Sequence, residues 1–273
     1  MSTPPITFIG GGNMARSLVA GLIRQGVSPG VIHVAEPVAA LRDQLAAEFG
    51  VSTYANAADA AAHGMVWVLA VKPQVLREVC AALAGRAQDA QPLVLSIAAG
   101  ITSAQLLRWL GGAAAVVRAM PNTPALLGAG VTGLFATAGV SAAQRGLADS
   151  VLASAGRTVW IDDEARMDAV TAVSGSGPAY VFLLAEAMEA AGIAQGLAPD
   201  AARTLVVQTL LGASRMLDES GEAPAELRRR VTSPNGTTQA AIECFQADGF
   251  EAMVGRAIDA ATRRGKALSA AND

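Results

Sequence analysis

Short apolar runs alternate with amphipathic segments along the first 162 residues of the chain. The first run begins at Ile6, and the segment that follows it carries Leu18, Leu22 and Ile23 at the spacing of one helix face. The apolar runs are four to eight residues long, which is typical of strands buried on both faces of a parallel sheet. They predict strands at 6–9, 31–35, 65–71, 93–98, 115–120, 130–137 and 158–161, with the first helices at 14–25 and 39–49.

The first strand passes directly into a glycine turn with the spacing Gly10-x-Gly12-x-x-Ala15. Glycines also cluster in ordinary turns, but here the order is strand, glycine turn, helix and strand, as in a dinucleotide-binding unit. Gly10 permits the tight turn, Gly12 admits a pyrophosphate, and the small Ala15 lets the helix pack on the strand. Glu36 ends the second strand, where an acidic residue would bind the hydroxyls of the adenosine ribose.

Turn residues follow the other strands of this half. In open parallel sheets the ligand lies outside the carboxyl ends of the strands, so these turns predict one cofactor crevice. For Pro121 and Pro124, simple rigidity of the turn is an equal alternative. The predicted crevice residues are Asn56, the segment from Ala70 to Pro73, Ala98, Ala99 and Asn122.

The strand pattern ends at the acidic stretch Asp162-Asp163-Glu164, which predicts two domains, 1–162 and 163–273. The second domain is predicted to be helical, and its first helix, which Pro178 opens, is apolar on most of its circumference. Such a helix needs cover on several sides, which favours a bundle shared between subunits over a compact monomeric domain. Helices are predicted at 178–191, 199–221, 224–231, 237–245 and 250–270.

Two polar segments interrupt this apolar half. One runs from Thr171 to Tyr180 and the other from Thr232 to Thr238, and each leads into a predicted helix. Hydroxyl and backbone N–H groups at a helix N-terminus suit an anion, although ordinary N-capping is the alternative. Two such segments with few cations nearby favour a bound carboxylate.

The scarcity of acid–base side chains bears on the chemistry. The chain has two histidines, and its lysines are Lys72 and Lys266. Reduction of a ketone requires a positioned proton donor, whereas an imine can arrive already protonated. The composition therefore favours reduction of a carbon–nitrogen bond. Lys72 and Tyr180 could weaken this argument, because either side chain can donate a proton. Thr171 could hydrogen-bond the nitrogen as a mild donor, or it could simply cap or pack.

Composition narrows the class of protein further. Of the 273 residues, 52% are hydrophobic and 16% are charged, and the net charge is −3. No basic patch of the kind that binds nucleic acid is present, and no apolar run is long enough to cross a membrane. Cys80 and Cys244 are too few for a disulfide framework, and no metal-ligand spacing occurs. We therefore expect a cytoplasmic enzyme without a metal, whose partners are small molecules and copies of itself.

Five segments together resemble the Δ1-pyrroline-5-carboxylate reductase family, over nearly the whole chain. The resemblance implies NAD(P)H-dependent reduction of the cyclic imine to L-proline, the last step of proline biosynthesis. The segments are Ile9-Gly-Gly-Gly-Asn-Met-Ala15, Ala70-Val-Lys-Pro-Gln74, Met120-Pro-Asn-Thr-Pro124, Ser174-Gly-Ser-Gly-Pro-Ala-Tyr180 and Val231-Thr-Ser-Pro-Asn-Gly-Thr-Thr238.

The resemblance also implies site residues and an assembly. Thr171 would lie near the imine nitrogen, and the substrate would contact Ser176, Asn235, Gly236, Thr237 and Thr238. Family members form dimers through their helical domains, often assembled further into decamers, which are pentamers of dimers. The implied cofactor contacts are Gly10, Gly11, Gly12, Asn13, Met14, Ala15, Glu36, Asn56, Ala70, Val71, Lys72, Pro73, Ile97, Ala98 and Ala99.

Two positions depart from the family pattern. Many relatives favour NADPH, whereas Glu36 should repel a 2′-phosphate and favour NADH, unless Arg42 compensates. Some relatives carry an acid near the substrate where this chain has Gly221, so either Glu219 or Glu222 replaces it or that contact is absent.

The expected fold is an α/β N-terminal Rossmann-type dinucleotide-binding domain followed by an all-α C-terminal dimerisation domain. Two rival functions remain at this point. One is a 3-hydroxy-acid or ketopantoate-type dehydrogenase, against which the lysine count argues. The other is a non-catalytic NAD(P)-sensing protein, which would need no carboxylate site.

Overall fold

The computed structural model describes residues 3–112 and 114–272. Its first half is built on one eight-stranded sheet in the order β3-β2-β1-β4-β5-β6-β7-β8. The α/β prediction is confirmed, and most of the predicted strands are found at or within two residues of their predicted bounds. The strands are β1 (Ile6–Ile9), β2 (Ile32–Ala35), β3 (Ser52–Tyr54), β4 (Val66–Leu69), β5 (Leu93–Ser96), β6 (Ala115–Met120), β7 (Gly130–Ala136) and β8 (Gly156–Trp160).

The sheet is mixed, which the sequence pattern did not predict. Strands β1 to β6 pair in parallel, whereas β7 pairs with β6 in the antiparallel sense and β8 pairs in parallel with β7. The connection between β6 and β7 is short and contains a 3₁₀ turn, Thr123–Leu127. Antiparallel neighbours can be joined this way, whereas a parallel pair requires a longer crossover.

Alternate residues of the strands feed two core layers. Ile6 and Phe8 of β1 lie in the cluster on one face, and Ile9 lies in the cluster on the other face with Trp67. All four side chains are buried, as expected for a sheet that carries helices on both faces. The helices of this half are α1 (Asn13–Arg24), α2 (Ala39–Phe49), α3 (Ala57–Ala61), α4 (Pro73–Ala90), α5 (Ser103–Trp109) and α6 (Ala142–Leu152).

The edge strand β3 and helix α3 were not predicted. β3 has only three residues, and its first residue, Ser52, is exposed. Such a strand gives almost no apolar signal, because it is short, none of its residues is fully buried, and β2 is its strand partner on one side only.

The second half is helical, as predicted. Several apolar side chains of its first long helix are exposed in the single chain, and Phe182 and Leu183 are 68% and 66% exposed. A patch of this kind marks an interaction surface. The helices are α7 (Met167–Val170), α8 (Gly177–Ala194), α9 (Pro199–Glu219), α10 (Pro224–Arg230), α11 (Thr237–Ala247) and α12 (Phe250–Ala271).

One expectation about the segment that begins at Thr171 is wrong. The residues Thr171–Gly175 form a π-helical turn that continues α7, so Thr171 lies inside a helical stretch and not at a free N-terminus. The backbone N–H of Ser176 donates to the carbonyl of Thr171 at 2.8 Å, which is the five-residue bond of a π turn. Turns of this type are frequent at functional sites.

The chain divides into two compact units. One contains the sheet, extends to Ser176 and resumes at Ala260, and the other is Gly177–Asp259. Helix α12 therefore begins in the second unit and ends in the first. The domain boundary proposed after residue 162 stays a prediction.

Candidate functional site

Four strand ends form one line at the carboxyl edge of the sheet. The backbone N–H of Gly10 donates to Ala35 O at 2.9 Å, that of Ala70 to Ile9 O at 2.8 Å, and that of Ile97 to Leu69 O at 3.2 Å. Adjacent strands lie about 4.8 Å apart, so the residues that follow them share one rim. The structure thus brings Gly10, Ala70 and Ile97 side by side, as their positions in the sequence predict.

The glycine turn leaves open space above the start of α1. Gly10 has a φ of +108°, and a Cβ there would come within 2.8 Å of the carbonyl oxygen of Ala70. A Cβ on Gly12 would meet nothing within 4 Å, and Gly12 is the N-cap of α1 without a side-chain cap. The N-terminal N–H groups of a helix therefore face a space that an anion could occupy.

Helix α1 is held against the sheet by its buried face. Ala15 is 1% exposed in the core, while Asn13 is exposed and Met14 is half-buried. The small Ala15 allows the close helix–strand approach that the turn requires. The backbone of residues 12–14 consequently stays accessible at the rim.

The carboxylate of Glu36 is fixed at the end of β2. One oxygen accepts a hydrogen bond from the N–H of Gly11 at 3.1 Å, and the other accepts from the N–H of Val38 at 3.0 Å. Glu36 is only 8% exposed. The group keeps its acceptor lone pairs at the rim, where the sequence places the ribose hydroxyls.

Arg42 lies beside this turn but does not bind the carboxylate of Glu36 in the structure. Its Nη1 donates to the backbone carbonyl of Glu36 at 2.8 Å and to that of Pro37 at 2.9 Å. The guanidinium therefore holds the backbone of the β2–α2 turn and keeps its positive charge near the carboxyl end of β2.

The remaining predicted cofactor residues lie in turns on the same edge. Asn56 is the N-cap of α3, and its Oδ1 accepts from the N–H of Asp59 at 2.9 Å. Lys72 is the N-cap of α4, with Pro73 in the first helical position and Val71 before it, half-buried. After β5, Ala98 is buried in the core whereas Ala99 is exposed. Ala98 can therefore contact a ligand only through its backbone.

Asn122 connects the end of β6 with the π turn. Its Nδ2 donates to the carbonyl of Ser174 at 3.2 Å, and its Oδ1 accepts from the N–H of Val131 at 2.9 Å. The side-chain amide thus satisfies a carbonyl of the π turn and the first residues of β7. A cofactor contact from this side chain would compete with these bonds.

The hydroxyl of Thr171 has a defined orientation. Its Oγ1 donates to the carbonyl of Met167 at 3.0 Å, one turn earlier. A hydroxyl has one hydrogen, so in this geometry its oxygen offers acceptor lone pairs to a further partner. Gly175 closes the same turn where a Cβ would come within 2.6 Å of the Met120 methyl group.

In the second unit, the segment Thr232–Thr238 forms a loop that starts α11. Asn235 has a φ of +58°, and Gly236 is the N-cap without a side-chain cap. The N–H of Asn235 donates to Oε1 of Gln239 at 2.7 Å. The predicted helix N-terminus is confirmed here, with the hydroxyls of Thr237 and Thr238 in its first turn.

A buried ionic cluster around Arg118 was not predicted from the sequence. The guanidinium of Arg118 on β6 lies 3.2 Å from Glu164 and 3.9 Å from Asp168. Glu164 also accepts hydrogen bonds from the backbone N–H of Ser103 at 2.7 Å and from its hydroxyl at 2.5 Å. A signal was present, since Arg118 interrupts the apolar run 115–120 and a buried arginine requires an acidic partner.

Residues 3–112 and 114–272 contain neither a candidate metal site nor a candidate membrane span. No group of three His, Cys, Asp or Glu side chains in these ranges could hold a metal ion. None of the helices in the same ranges combines the length and apolar character needed to cross a membrane.

Known proteins resemble the chain over its full length. A family model described as pyrroline-5-carboxylate reductase dimerisation matches residues 164–268, and one described as NADP oxidoreductase, coenzyme F420-dependent, matches residues 5–100. The pyrroline-5-carboxylate reductase of Pseudomonas aeruginosa is 54% identical over 98% of each chain.

Solved structures give the same result. The pyrroline-5-carboxylate reductase of Coxiella burnetii superposes with a TM-score of 0.95 at 41% identity, over 98% of this chain and 99% of that one. The Plasmodium falciparum pyrroline carboxylate reductase, solved with NADP bound, superposes with a TM-score of 0.86 at 27% identity, with the same coverage.

Proposed function

The chain belongs to the pyrroline-5-carboxylate reductase family and reduces Δ1-pyrroline-5-carboxylate to proline with a nicotinamide cofactor, and from this premise we propose which of its residues bind cofactor and substrate. This is the last step of proline biosynthesis. The full-length similarity favours it over the dehydrogenase and sensor alternatives. In the reaction the imine carbon gains a hydride and the protonated nitrogen keeps its hydrogen, so a secondary amine results.

The alignment of the strand ends is the main observation that supports our assignment of the cofactor site. It aligns Gly10, Ala70 and Ile97 on one rim beside the uncapped start of α1. We assign the pyrophosphate to the N–H groups of residues 11–14 and the adenosine ribose to Glu36. Asn56, the turn 70–73, Ala98, Ala99 and Asn122 form the rest of the predicted contact set. When bound, the reduced nicotinamide supplies the hydride.

The fixed carboxylate of Glu36 supports a preference for NADH over NADPH. Both of its oxygens already accept backbone N–H groups, so it cannot turn away from an approaching 2′-phosphate. The two negative charges would repel each other. Arg42 lies close enough in sequence and space to reduce this penalty, but its observed partners are carbonyls.

We assign Thr171 the role of hydrogen-bond acceptor for the imine N–H. The hydrogen of the Thr171 hydroxyl already points to Met167 O, so this group is not free to donate it to the substrate. A protonated imine carries an N–H donor, which matches an acceptor oxygen. The hydroxyl would then orient the substrate and stabilise the charged nitrogen without giving up a proton.

The start of α11 is our candidate site for the substrate carboxylate. The N–H groups of Thr237 and Thr238 follow an N-cap, Gly236, that has no side-chain oxygen to satisfy them. The helix dipole favours negative charge at this end. Asn235 and Ser176 complete the predicted substrate contacts.

The chain dimerises, as the match to the dimerisation model indicates. The exposed apolar side chains of α8 support the helical half as the dimer surface. Assembly of five dimers into a decamer is a proposal that a mass measurement by light scattering would test. The free thiols of Cys80 and Cys244 suit a reducing compartment such as the cytoplasm. None of the proposed roles requires a metal ion, so activity should survive a chelator.

A steady-state assay tests these assignments. Oxidation of NADH and of NADPH is followed separately with Δ1-pyrroline-5-carboxylate, for the wild type and for Thr238→Ala and Thr171→Val. We assign the Thr238 hydroxyl as a further donor to the carboxylate beside these N–H groups. Loss of this hydrogen bond to a charged group should raise KM about tenfold or more in Thr238→Ala. Thr171→Val should lower kcat/KM by about the same factor.

Thr204→Ala is the matched control, because the hydroxyl of Thr204 makes the same helical bond, to Asp200 O at 2.8 Å. It should leave both constants unchanged. Wild-type KM in Thr238→Ala would remove the Thr238 hydroxyl from the carboxylate site, because the variant leaves the backbone N–H groups in place. Wild-type kcat/KM in Thr171→Val would remove the acceptor role.

A further inference from the structure

The final turns of α12 pack on the loop that follows β5. The carbonyl of Ser269 accepts a hydrogen bond from Nε2 of Gln105 at 3.0 Å. Gly100 faces the same turns, and a Cβ on Gly100 would come within 3.3 Å of the Cβ of Leu268. The end of α12 thus packs along one side of the loop that leaves the sheet at Ile97.

Asn272 joins this helix end to the loop through its side-chain amide. Nδ2 donates to the carbonyl of Gly100 at 3.2 Å and to the carbonyl of Leu268 at 2.9 Å. A side-chain amide nitrogen has two hydrogens, so both are used. The carbonyls at a helix C-terminus lack partners within the helix, and Asn272 satisfies one of them while it holds the loop.

The loop has anchors at its two ends. The N–H of Ile97 is bound to Leu69 O at 3.2 Å, and the capping box of Thr102 and Gln105 fixes the start of α5. Between these anchors Gly100 adopts a left-handed φ of +69°, and its carbonyl accepts the bond from Asn272. The bond lies next to Ala99, one of the proposed cofactor contacts.

A second contact of the same helix lies within the first unit. Gly265 is buried, and a Cβ there would come within 2.9 Å of Oδ1 of Asp168. Asp168 belongs to the ionic cluster of Arg118. This part of α12 therefore packs closely on Asp168, while its end packs on the loop that holds Gly100.

We propose that Asn272 is a positioning residue that sets the affinity for the nicotinamide cofactor by fixing the loop from Ile97 to Gly100. The proposal rests on the assignment of this loop to the cofactor site. Asn272 acts through the Gly100 carbonyl and does not touch the cofactor. Without this bond the loop samples further conformations, and cofactor binding must order it.

Direct binding of NADH to the intact protein, measured by calorimetry without substrate, is the test. The variants are Asn272→Ala, which removes both donors, and Asn272→Asp, which also places a negative charge against two carbonyls. Loss of one hydrogen bond predicts a Kd raised about three- to tenfold in Asn272→Ala, and more in Asn272→Asp. The KM for the imine and kcat at saturating cofactor should stay at wild-type values.

Ser269→Ala is the control on the same turns, because the buried hydroxyl of Ser269 has no hydrogen-bond partner among the described residues. It should leave the Kd unchanged. A lower Tm with an unchanged Kd in both Asn272 variants would make the residue purely structural and overturn the proposal. If the wild type itself bound neither NADH nor NADPH, the cofactor assignment would fail instead, so the two failures are distinguishable.

Discussion

The carboxylate of Glu36 and the backbone N–H of Gly11 are joined by a hydrogen bond of 3.1 Å across 25 residues of the sequence. This bond ties the end of β2 to the glycine turn after β1. It also fixes a negative charge at the place that we propose for the adenosine ribose, where the two nicotinamide cofactors differ. The choice between them is therefore expected to depend on one side chain.

Glu36→Gln should shift the cofactor preference toward NADPH. The amide keeps the size of the side chain and removes its charge, so the repulsion of a 2′-phosphate disappears. We expect the ratio of kcat/KM for NADPH to that for NADH to rise about tenfold or more. Asp43→Asn, an exposed position on α2, is the control and should not change the ratio. An unchanged ratio in Glu36→Gln would place the ribose elsewhere.

Arg118→Met should strongly destabilise the protein. The side chain of Arg118 is 5% exposed, and its removal leaves Glu164 and Asp168 without their cation. Breaking a buried ion pair from one side typically costs about 3–5 kcal/mol. Urea unfolding would measure the loss. Arg215→Met removes an exposed pair with Glu219 and should cost less than about 0.5 kcal/mol. Equal losses in the two variants would contradict the buried character of the cluster.

Two glycines inside helices should respond in opposite directions to alanine. A Cβ on Gly21 in α1 would overlap the carbonyl oxygen of Ser154, whereas one on Gly85 in α4 would meet nothing within 4 Å. Gly21→Ala should therefore lose about 1–3 kcal/mol of unfolding free energy through overpacking. Gly85→Ala should gain up to about 1 kcal/mol from helix propensity. Thermal unfolding monitored by circular dichroism measures both, and destabilisation by Gly85→Ala would count against the open space at that position.

Acid should destabilise the protein partly through His33. Burial, and secondarily the charge of His63, lower the pKa of His33 below its ordinary value. The ring of His63 stacks on it at 4.9 Å between centroids. The unfolded chain then binds a proton more readily than the folded one, so stability is complete above the unfolded pKa of about 6.5 and falls as the pH drops below it.

The urea midpoint of the wild type should therefore decrease between about pH 7.5 and about pH 5.5. One proton accounts for at most about 1.4 kcal/mol per pH unit. The urea midpoint of His33→Gln should decrease less steeply over this range. His63→Gln should also make the decrease less steep, but by a smaller amount. If all three proteins lost stability in parallel, His33 would not be the group responsible.

Local pattern was enough to predict most of the fold. The turn from Gly10 to Ala15 and the position of Glu36 are set by residues close in sequence, and the structure has them at the rim of the sheet. Strands that are buried on both faces consist largely of apolar residues, which is why most of them were predicted. The roles of these residues toward ligands stay predictions.

Features that depend on distant partners were missed. The reversed direction of β7 follows from its pairing with β6, and no residue of β7 encodes a direction. The ion pairs of Arg118 join residues 46 and 50 positions apart, which a pattern of neighbours cannot detect. The π turn at Thr171 depends on packing against Met120 and on the bond from Asn122, and the sequence suggested an ordinary helix start there.

The return of α12 to the first unit has a consequence for recombination between related genes. The Gly177–Asp259 unit interrupts the first unit in sequence, so residues 260–272 are separated in the gene from the loop and the ionic cluster that they contact. A chimera made with a single crossover near residue 176 would pair the Gly100 of one parent with the Asn272 of the other. Exchange of the helical unit as an intact module instead requires two crossovers, one before Gly177 and one after Asp259.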